Sequence, residues 1–242
     1  MSEPELLPDV TKMGNDHIHV WHVSLAQLAS ARFPVELLTA SEQQRAAGYR
    51  FDADRQCFAW GRSLARILIG RYMGCEAGRV QFSFGRFGKP MLVQEDDYAG
   101  NSLYFNLSHS GSYLSLGFSR TMPLGIDIEK VRPISNIATL AARVLAAGEL
   151  EYVMSLPAEA RDRGFLRCWT LKEASLKLSG AGLSAEPKEV LVDPWKEESL
   201  IRSDGWHGLE TRWMRVLTPA SGYIGAVAAA ASPEEVLEVC WP

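Results

Sequence analysis

Two acidic side chains, Asp127 and Glu129, lie two residues apart in the otherwise apolar stretch GIDIE. Side chains alternate along a strand, so both carboxylates would point to one face and Ile126 and Ile128 to the other. Like charges on one strand face repel each other unless a cation lies between them. Mg²⁺ meets this need, because it accepts one or two carboxylates and keeps its other positions for water and phosphate oxygens. The pair therefore indicates a Mg²⁺ site, with an exposed acidic strand edge as the alternative.

A second group of candidate residues lies in the stretch WTLKEASLK. Trp169, Glu173 and Lys177 are spaced four residues apart, which places them on one side of a helix. Glu173 and Lys177 could form an ordinary surface ion pair. A large aromatic ring directly beside that pair is unusual for a solvated face, so the column favours the rim of a polar cleft.

Two further stretches offer groups that suit an anion. FNLSHSG places Ser108 and His109 in a turn after a strand, although a single His is more often structural than functional. GKP forms a rigid turn in which Lys89 offers a point charge for phosphate. A catalytic Ser-His pair is not expected, because neighbours in sequence do not present a hydroxyl to an imidazole as a catalytic triad does. The chain also lacks the G-x-S-x-G, P-loop and Rossmann motifs.

Two long helices and a series of short strands are predicted to position these residues. The hydrophobic periodicity predicts the long helices over 54–73 and 161–178. The arginines of the first long helix form a stripe that we expect to be solvated: Arg55, Arg62 and Arg66. Shorter helices are predicted over 41–50 and 137–153. Strands are predicted over 17–23, 80–84, 91–93, 103–107, 113–118, 124–129 and 223–230.

The order of these elements is repeated along the chain. A strand follows each long helix after about 40 residues, and it begins with Gly-Ser-Tyr in the first case and Ser-Gly-Tyr in the second. This repetition predicts an α+β protein of two similar halves. We expect a loose lead-in over 1–16, an N-terminal half over 17–120 and a C-terminal half over 121–242.

Composition limits the classes of function. The 242 residues carry 25 basic and 29 acidic side chains, so the net charge of −4 gives no reason to expect nucleic-acid binding. The four cysteines are far apart, which favours reduced thiols in a cytoplasmic protein over a disulfide scaffold or a zinc site. The N-terminal residues do not resemble a signal peptide, and no apolar run is long enough to span a membrane.

Taken together, the ordered set GRFGKP, FNLSHSG, GIDIE and WTLKEASLK resembles the 4′-phosphopantetheinyl transferases of the surfactin-synthetase-activating (Sfp) type. The resemblance runs from about residue 45 to residue 182. It implies a pseudo-dimer, in which each half has a long helix packed on a small, mostly antiparallel sheet and the active site lies between the halves. It also implies a reaction that moves phosphopantetheine from coenzyme A to a serine of an apo acyl or peptidyl carrier protein and releases 3′,5′-ADP.

The resemblance also implies roles for individual residues. The expected Mg²⁺ ligands are Asp127, Glu129 and Glu173. Glu173, directly or through a metal-bound water, is the candidate base for the serine proton, while Lys177 would balance charge on a phosphate oxygen and Asp127 would take part through the metal. The expected contacts to coenzyme A are Arg45, Arg86, Lys89, Ser108, His109 and Lys172. The N-terminal segment departs from the family pattern, because it carries few basic residues around Arg45.

Two other classes of function remain open on the sequence alone. One is another Mg²⁺-dependent phosphoryl-transfer enzyme that uses the same carboxylates. The other is a non-catalytic module that binds carrier proteins or coenzyme A. Because the second half is already part of the chain, we expect a monomer, with no membrane or nucleic-acid partner.

Overall fold

The structure is a computed structural model that describes residues 13–28, 34–93, 102–180, 186–206 and 208–241. Residues 1–12 of the predicted lead-in lie outside these ranges. The described end of the lead-in is not loose, because Met13 is buried in a hydrophobic core. Within the same ranges, no helix has the length and apolar character needed to cross a membrane.

The described elements come in runs of helices and runs of strands. The helices are α1 (Leu25–Leu28), α2 (Ala40–Ala47), α3 (Asp52–Met73), α4 (Ile137–Val144), α5 (Ala147–Ser155) and α6 (Ala158–Ser179). The strands are β1 (His17–Ser24), β2 (Phe82–Phe84), β3 (Pro90–Leu92), β4 (Tyr104–Ser110), β5 (Tyr113–Ser119), β6 (Leu124–Lys130), β7 (Glu198–Trp206), β8 (Leu209–Leu217), β9 (Tyr223–Ala229) and β10 (Glu235–Cys240). The predicted α+β class with mostly antiparallel sheets is confirmed, whereas the likeness of the two halves stays a prediction.

The first four-stranded sheet has the order β10-β1-β5-β4. Its β1–β5 and β5–β4 pairs are antiparallel, and β10 joins the edge of β1 in parallel. Helix α3 packs on this sheet and buries Leu64 and Leu68, one turn apart, against Trp21 and Phe118. The helix ends at Met73, and the next residue, Gly74, has a φ of 68°, the left-handed conformation that glycine adopts without strain.

The second four-stranded sheet has the order β6-β9-β8-β7 and is antiparallel throughout. Helix α6 packs on strands β6 and β9, and buries Leu171, Ala174 and Leu178 at helical spacing. A Cβ on Gly125 would overlap the backbone of α6, so glycine is required for this close approach. Strand β6 and helix α6 carry the predicted carboxylates, and their packing brings the two motifs together.

A third core joins the two sheets. Ile18 and Val20 of β1 pack with Ile126 of β6 and Val227 of β9. Strand β1 is therefore buried on both faces, and the prediction of a half-buried strand is wrong there. The polar positions His19 and His22 are buried as well, on opposite faces of the strand. His19 Nδ1 lies 2.9 Å from the Tyr72 hydroxyl of α3, and His22 Nδ1 lies 2.9 Å from the Ser115 hydroxyl of β5.

The expected solvated arginine stripe on α3 is also wrong at two of its three positions. Arg55 is exposed, but Arg62 and Arg66 are buried. Arg66 donates from Nη1 to the Glu42 carboxylate of α2, and its guanidinium lies 4.5 Å from the centre of the Phe82 ring. The stripe thus anchors α2 and the β2–β3 hairpin to α3.

Candidate active site

The candidate site forms where β4 of the first sheet meets β6 of the second. The two strands do not share a ladder, and side chains of β4 bridge them instead. Asn106 Oδ1 accepts a hydrogen bond from the backbone N–H of Ile126 at 2.8 Å. Ser108 and Ser110, which point to the same side of β4 as Asn106, each reach a carboxylate of β6. The turn predicted for these serines is instead part of β4, and the chain reverses only after Ser110.

Asp127 is the centre of a compact polar cluster. Its side chain is buried, and its Oδ1 accepts hydrogen bonds from Ser108 Oγ at 2.8 Å and from Lys177 Nζ at 2.6 Å. Lys177 Nζ also donates to Ser108 Oγ at 2.8 Å. The predicted residues Ser108, Asp127 and Lys177 are therefore brought together by β4, β6 and α6.

Glu129 lies next to this cluster and is half-buried. Its Oε2 accepts a hydrogen bond from Ser110 Oγ at 2.7 Å. Burial raises the pKa of Glu129, and the negative charge of Asp127 raises it further, whereas the bond from Ser110 acts in the opposite direction. The environment thus resists the charged form of this carboxylate unless a cation is supplied.

Glu173 reaches the same place from helix α6. Burial raises its pKa, with the charges of Asp127 and Glu129 adding to the effect and Lys177 opposing it. The charges of Asp127 and Glu129 on β6 both act on Glu173, which α6 carries against that strand. Trp169, one turn before Glu173, is packed parallel to the ring of Phe165 and forms part of the wall of α6.

The carboxylates are suited to a divalent cation without forming a closed metal cage. Among the described residues, no group of three or more His, Cys, Asp or Glu side chains could hold a metal ion by itself. Two buried oxygens, Asp127 Oδ2 and Glu173 Oε1, nevertheless have no hydrogen-bond partner in the described part of the chain. A buried, unpartnered carboxylate oxygen is costly, and a hard cation would satisfy it. Since Mg²⁺ typically takes only one or two carboxylates plus water and phosphate oxygens, the donor set fits it.

Lys89 lies at the edge of the site but is engaged with the backbone. Its Nζ donates to the carbonyl oxygens of Lys177 at 2.6 Å and Leu124 at 3.1 Å. Burial, followed by the charge of Lys177, lowers the pKa of Lys89 to about 8. The side chain therefore links the β2–β3 hairpin to α6 and β6, and an ammonium group retains a third N–H for another acceptor.

The other predicted coenzyme A contacts occupy different positions. His109 alternates with Ser108 along β4 and is exposed, and partial desolvation followed by the charge of Lys177 lowers its pKa. Arg45 lies on α2 with its guanidinium 5.1 Å from the centre of the Phe58 ring. Arg86, in the β2–β3 turn, lies over the ring of Phe87.

Lys172 does not contact the cluster, and its ammonium group is bound elsewhere. It is fully buried, and its Nζ contacts Glu149 Oε2 at 2.7 Å and donates to the carbonyl oxygens of Pro187 and Val190. These three partners use all the N–H groups of the ammonium. Lys172 thus ties α6 to α5 and to the segment that follows α6, instead of reaching toward coenzyme A.

Sequence reasoning missed three polar residues of this region. Asn106 and Ser110 lie two residues to either side of Ser108, and this period of two in FNLSHSG was a usable signal. Glu149, the partner of Lys172, gave no comparable signal because it is 23 positions away in sequence.

Comparison with known proteins agrees with the motif order. A family model described as the 4′-phosphopantetheinyl transferase superfamily matches residues 123–228, which include the three carboxylates and Lys177. A second model, described as 4′-phosphopantetheinyl transferase, N-terminal, matches residues 19–120.

Curated relatives extend this similarity over most of the chain. The chain is 35% identical to the 4′-phosphopantetheinyl transferase HetI of Nostoc sp. strain PCC 7120, over 92% of this chain and 91% of that protein. It is 35% identical to psf-1 of Bacillus pumilus over 64% of this chain and 65% of that protein. It is 28% identical to Sfp of Bacillus subtilis strain 168 over 66% and 67% of the two chains. The chain therefore belongs to the 4′-phosphopantetheinyl transferase superfamily.

Proposed function

We propose that this enzyme transfers the 4′-phosphopantetheine group of coenzyme A to a serine hydroxyl of an apo acyl or peptidyl carrier protein. The serine oxygen forms a bond to the β-phosphorus of the pyrophosphate, the bond to the bridging oxygen breaks, and 3′,5′-ADP leaves. The observation that carries the proposal is the cluster of Asp127, Ser108 and Lys177 beside two unpartnered carboxylate oxygens. Family membership supplies the class of transferred group.

Asp127, Glu129 and Glu173 would hold a Mg²⁺ ion in this proposal. When bound, the cation polarises the pyrophosphate oxygens and neutralises charge that develops as the phosphoryl group is transferred. Because burial raises the pKa values of Glu129 and Glu173, a bound cation would stabilise the charged forms of both carboxylates.

The remaining polar residues would position substrate and move the proton. Glu173 is also the candidate to take the proton of the carrier serine, through the carboxylate oxygen that the cation leaves free. Lys177 would balance negative charge on a phosphate oxygen. We propose phosphate contacts for Ser108, His109 and the third N–H of Lys89, and less direct contacts for Arg45 and Arg86. Lys172 is left out because its ammonium group is already satisfied.

Mass spectrometry of an apo carrier protein tests this function directly. The carrier is incubated with coenzyme A, Mg²⁺ and the enzyme, and the expected product has gained one phosphopantetheine group. Parallel reactions contain EDTA in place of Mg²⁺, or a carrier whose acceptor serine is replaced by alanine, and neither is expected to gain mass. An unmodified carrier in the complete reaction would favour another Mg²⁺-dependent phosphoryl transfer or a binding role.

We also propose that the protein acts as a cytoplasmic monomer. The third core, in which β1 packs against β6 and β9, already provides the contact between sheets that a second subunit would otherwise supply. Light scattering coupled to size-exclusion chromatography tests the monomer, and a mass of twice 26.8 kDa would contradict it.

A further inference from the structure

Two serine hydroxyls of β4 match two carboxylates of β6 with the same spacing. Ser108 Oγ lies 2.8 Å from Asp127 Oδ1, and Ser110 Oγ lies 2.7 Å from Glu129 Oε2. The two serines are two residues apart on β4, and the two carboxylates are two residues apart on β6. The strands therefore lie in matching register, although they belong to different sheets. The first pair belongs to the cluster described above, whereas Ser110 has no assigned role.

The direction of the Ser110 hydrogen bond is fixed by its second partner. The backbone N–H of Lys130 donates to Ser110 Oγ at 3.0 Å. Because an amide N–H can only donate, the serine oxygen is the acceptor there and its own hydrogen is left for Glu129. The same logic holds for Ser108, where the ammonium of Lys177 is the donor.

This bond restricts a flexible side chain. A free Glu side chain loses up to about 2 kcal/mol of rotamer entropy when it becomes ordered. The bond from Ser110 holds one oxygen of Glu129 at the end of β6, close to the cluster, before any ligand arrives. Partners that orient a metal ligand in this way typically change metal affinity by about 10- to 100-fold.

We propose that Ser110 is a positioning residue that orients the Glu129 carboxylate for the divalent cation. The inference rests on the proposed function, since it concerns the cation of the same site. It assigns Ser110 no contact with substrate, and it predicts an effect on cation affinity larger than the effect on turnover at saturating Mg²⁺.

Binding of Mn²⁺, followed by electron paramagnetic resonance of the free ion with coenzyme A present, gives a readout that is independent of activity. Ser110→Ala is expected to weaken Mn²⁺ binding about tenfold and to raise the Mg²⁺ concentration for half-maximal activity by a similar factor. Ser110→Thr keeps the hydroxyl and should restore most of the affinity. Ser112→Ala is the matched control, because Ser112 lies in the next turn and its hydroxyl contacts Tyr223 at 3.3 Å instead of a carboxylate.

A double-mutant cycle separates positioning from a general effect on folding. In a Glu129→Ala background, Ser110→Ala should have no further effect on Mn²⁺ affinity. Additive losses, or a Ser110→Thr variant as weak as Ser110→Ala, would overturn the proposal. So would wild-type affinity in Ser110→Ala, or a wild-type protein that binds no Mn²⁺.

The two proposals can fail separately. If the carrier gains no mass but Ser110→Ala still weakens Mn²⁺ binding, the proposed transfer is wrong and the positioning role stands. If the carrier is modified and Ser110→Ala binds Mn²⁺ as well as the wild type does, the positioning role is wrong and the transfer stands.

Discussion

Asp127 and Glu173 are both acidic residues of the candidate site, but their carboxylate oxygens differ in hydrogen-bond partners. Asp127 Oδ1 has two hydrogen-bond donors, Ser108 and Lys177, whereas Glu173 Oε1 has no partner in the described residues. One oxygen of Asp127 therefore helps to hold β4, β6 and α6 together. Burial disfavours the charged form of Glu173, and the nearby charge of Lys177 opposes this effect.

We predict that Glu173→Gln and Asp127→Asn both reduce phosphopantetheine transfer by at least about a hundredfold, as expected for removal of a general base or a metal carboxylate. Their stabilities should differ. Glu173→Gln removes a charge that burial disfavours and should not lower the melting temperature. Asp127→Asn weakens a partly buried, charged hydrogen bond and should cost about 1–3 kcal/mol. Activity at saturating Mg²⁺ and thermal unfolding measured by circular dichroism check both, and near-wild-type turnover of either variant would show that the metal assignment is wrong.

A second prediction at the level of one residue concerns Lys89. If its third N–H binds the 3′-phosphate, Lys89→Met should lower the affinity for coenzyme A by about ten- to a hundredfold. This factor corresponds to the loss of a charged hydrogen bond, which contributes about 1.5–3 kcal/mol. The affinity for dephospho-coenzyme A, which lacks that phosphate, should change little. Calorimetric titration of both ligands into both proteins completes the cycle. An equal loss of affinity for the two ligands would mean that Lys89 does not bind the 3′-phosphate and only forms its hydrogen bonds with the Lys177 and Leu124 carbonyls.

At the level of elements, most helices and strands could be predicted because hydrophobic periodicity is a local property. The predicted helix over 54–73 begins at Asp52 and ends at Met73, and the predicted strand over 124–129 ends one residue later, at Lys130. Burial of polar residues could not be predicted in the same way. Arg66 is buried by Glu42 and Phe82, which lie 24 and 16 positions away in sequence and meet it only in the folded chain.

The candidate site shows the same division. The carboxylates and Lys177 could be proposed from spacing and resemblance, since each lies on a regular strand or helix, and their roles stay a prediction. The partners of Lys172 could not, because an ordinary Lys in a helix gives no sign of a buried Glu149 or of carbonyls at 187 and 190. Contacts across elements depend on packing that a local pattern does not contain.

Gly125 allows a prediction about the contact between β6 and α6. A Cβ at this position would overlap the carbonyl oxygen of Ala174 and the backbone nitrogen of Leu178. Because these atoms belong to a helix backbone, relief requires movement of α6, and Gly125→Ala should cost about 3 kcal/mol or more. It should also displace Glu173 and Lys177 and reduce activity.

Gly148→Ala is the control for this substitution. A Cβ there meets no atom within 4 Å, and the position lies in α5, where alanine is favoured over glycine. Urea unfolding of the two variants compares them, and a Gly125→Ala protein as stable as Gly148→Ala would show that α6 can move away without penalty.

At the level of the whole molecule, buried His19 makes stability depend on pH. Its Nδ1 lies 2.9 Å from the Tyr72 hydroxyl, and burial, followed by the charge of His17, lowers its pKa to about 4. An unfolded histidine has a pKa of about 6.5, so the unfolded state binds the extra proton first as the pH falls. The stabilisation is complete above pH ~6.5 and is lost between there and pH ~4.

We predict that His19 removes about 2 kcal/mol of stability between pH 7 and pH 5. His19→Gln keeps a hydrogen-bond acceptor near Tyr72 without a titrating ring, so its stability should change less over this interval. Urea unfolding at both pH values measures the difference, and the contributions of His17 and Glu235 cancel because both proteins share them. An identical pH dependence in the two proteins would mean that His19 is accommodated in its charged form.

Strand β10 joins the two ends of the chain, because residues 235–240 follow the second sheet in sequence and complete the first sheet in space. It pairs in parallel with β1 from Glu235 opposite His17 to Cys240 opposite His22, and Trp241 packs 5.9 Å from the ring of Trp21. His22 Nε2 and Glu238 Oε2 add a contact at 3.3 Å. The predicted boundary at residue 120 therefore does not divide the sheets, since the first sheet needs a strand from the C-terminal half.

We predict that a chain ending at Ser232 loses on the order of 5 kcal/mol, because several backbone hydrogen bonds worth about 1 kcal/mol each are removed and the edge of β1 is exposed. The full chain should unfold in one transition, whereas in the shortened chain the first sheet should unfold at lower urea concentration than the second. Tryptophan fluorescence and far-ultraviolet circular dichroism then give different midpoints. Cys240→Ser, at the exposed end of β10, controls for a change in the strand that leaves its pairing intact. Coincident, unshifted midpoints in the shortened chain would mean that the first sheet is stable without its fourth strand.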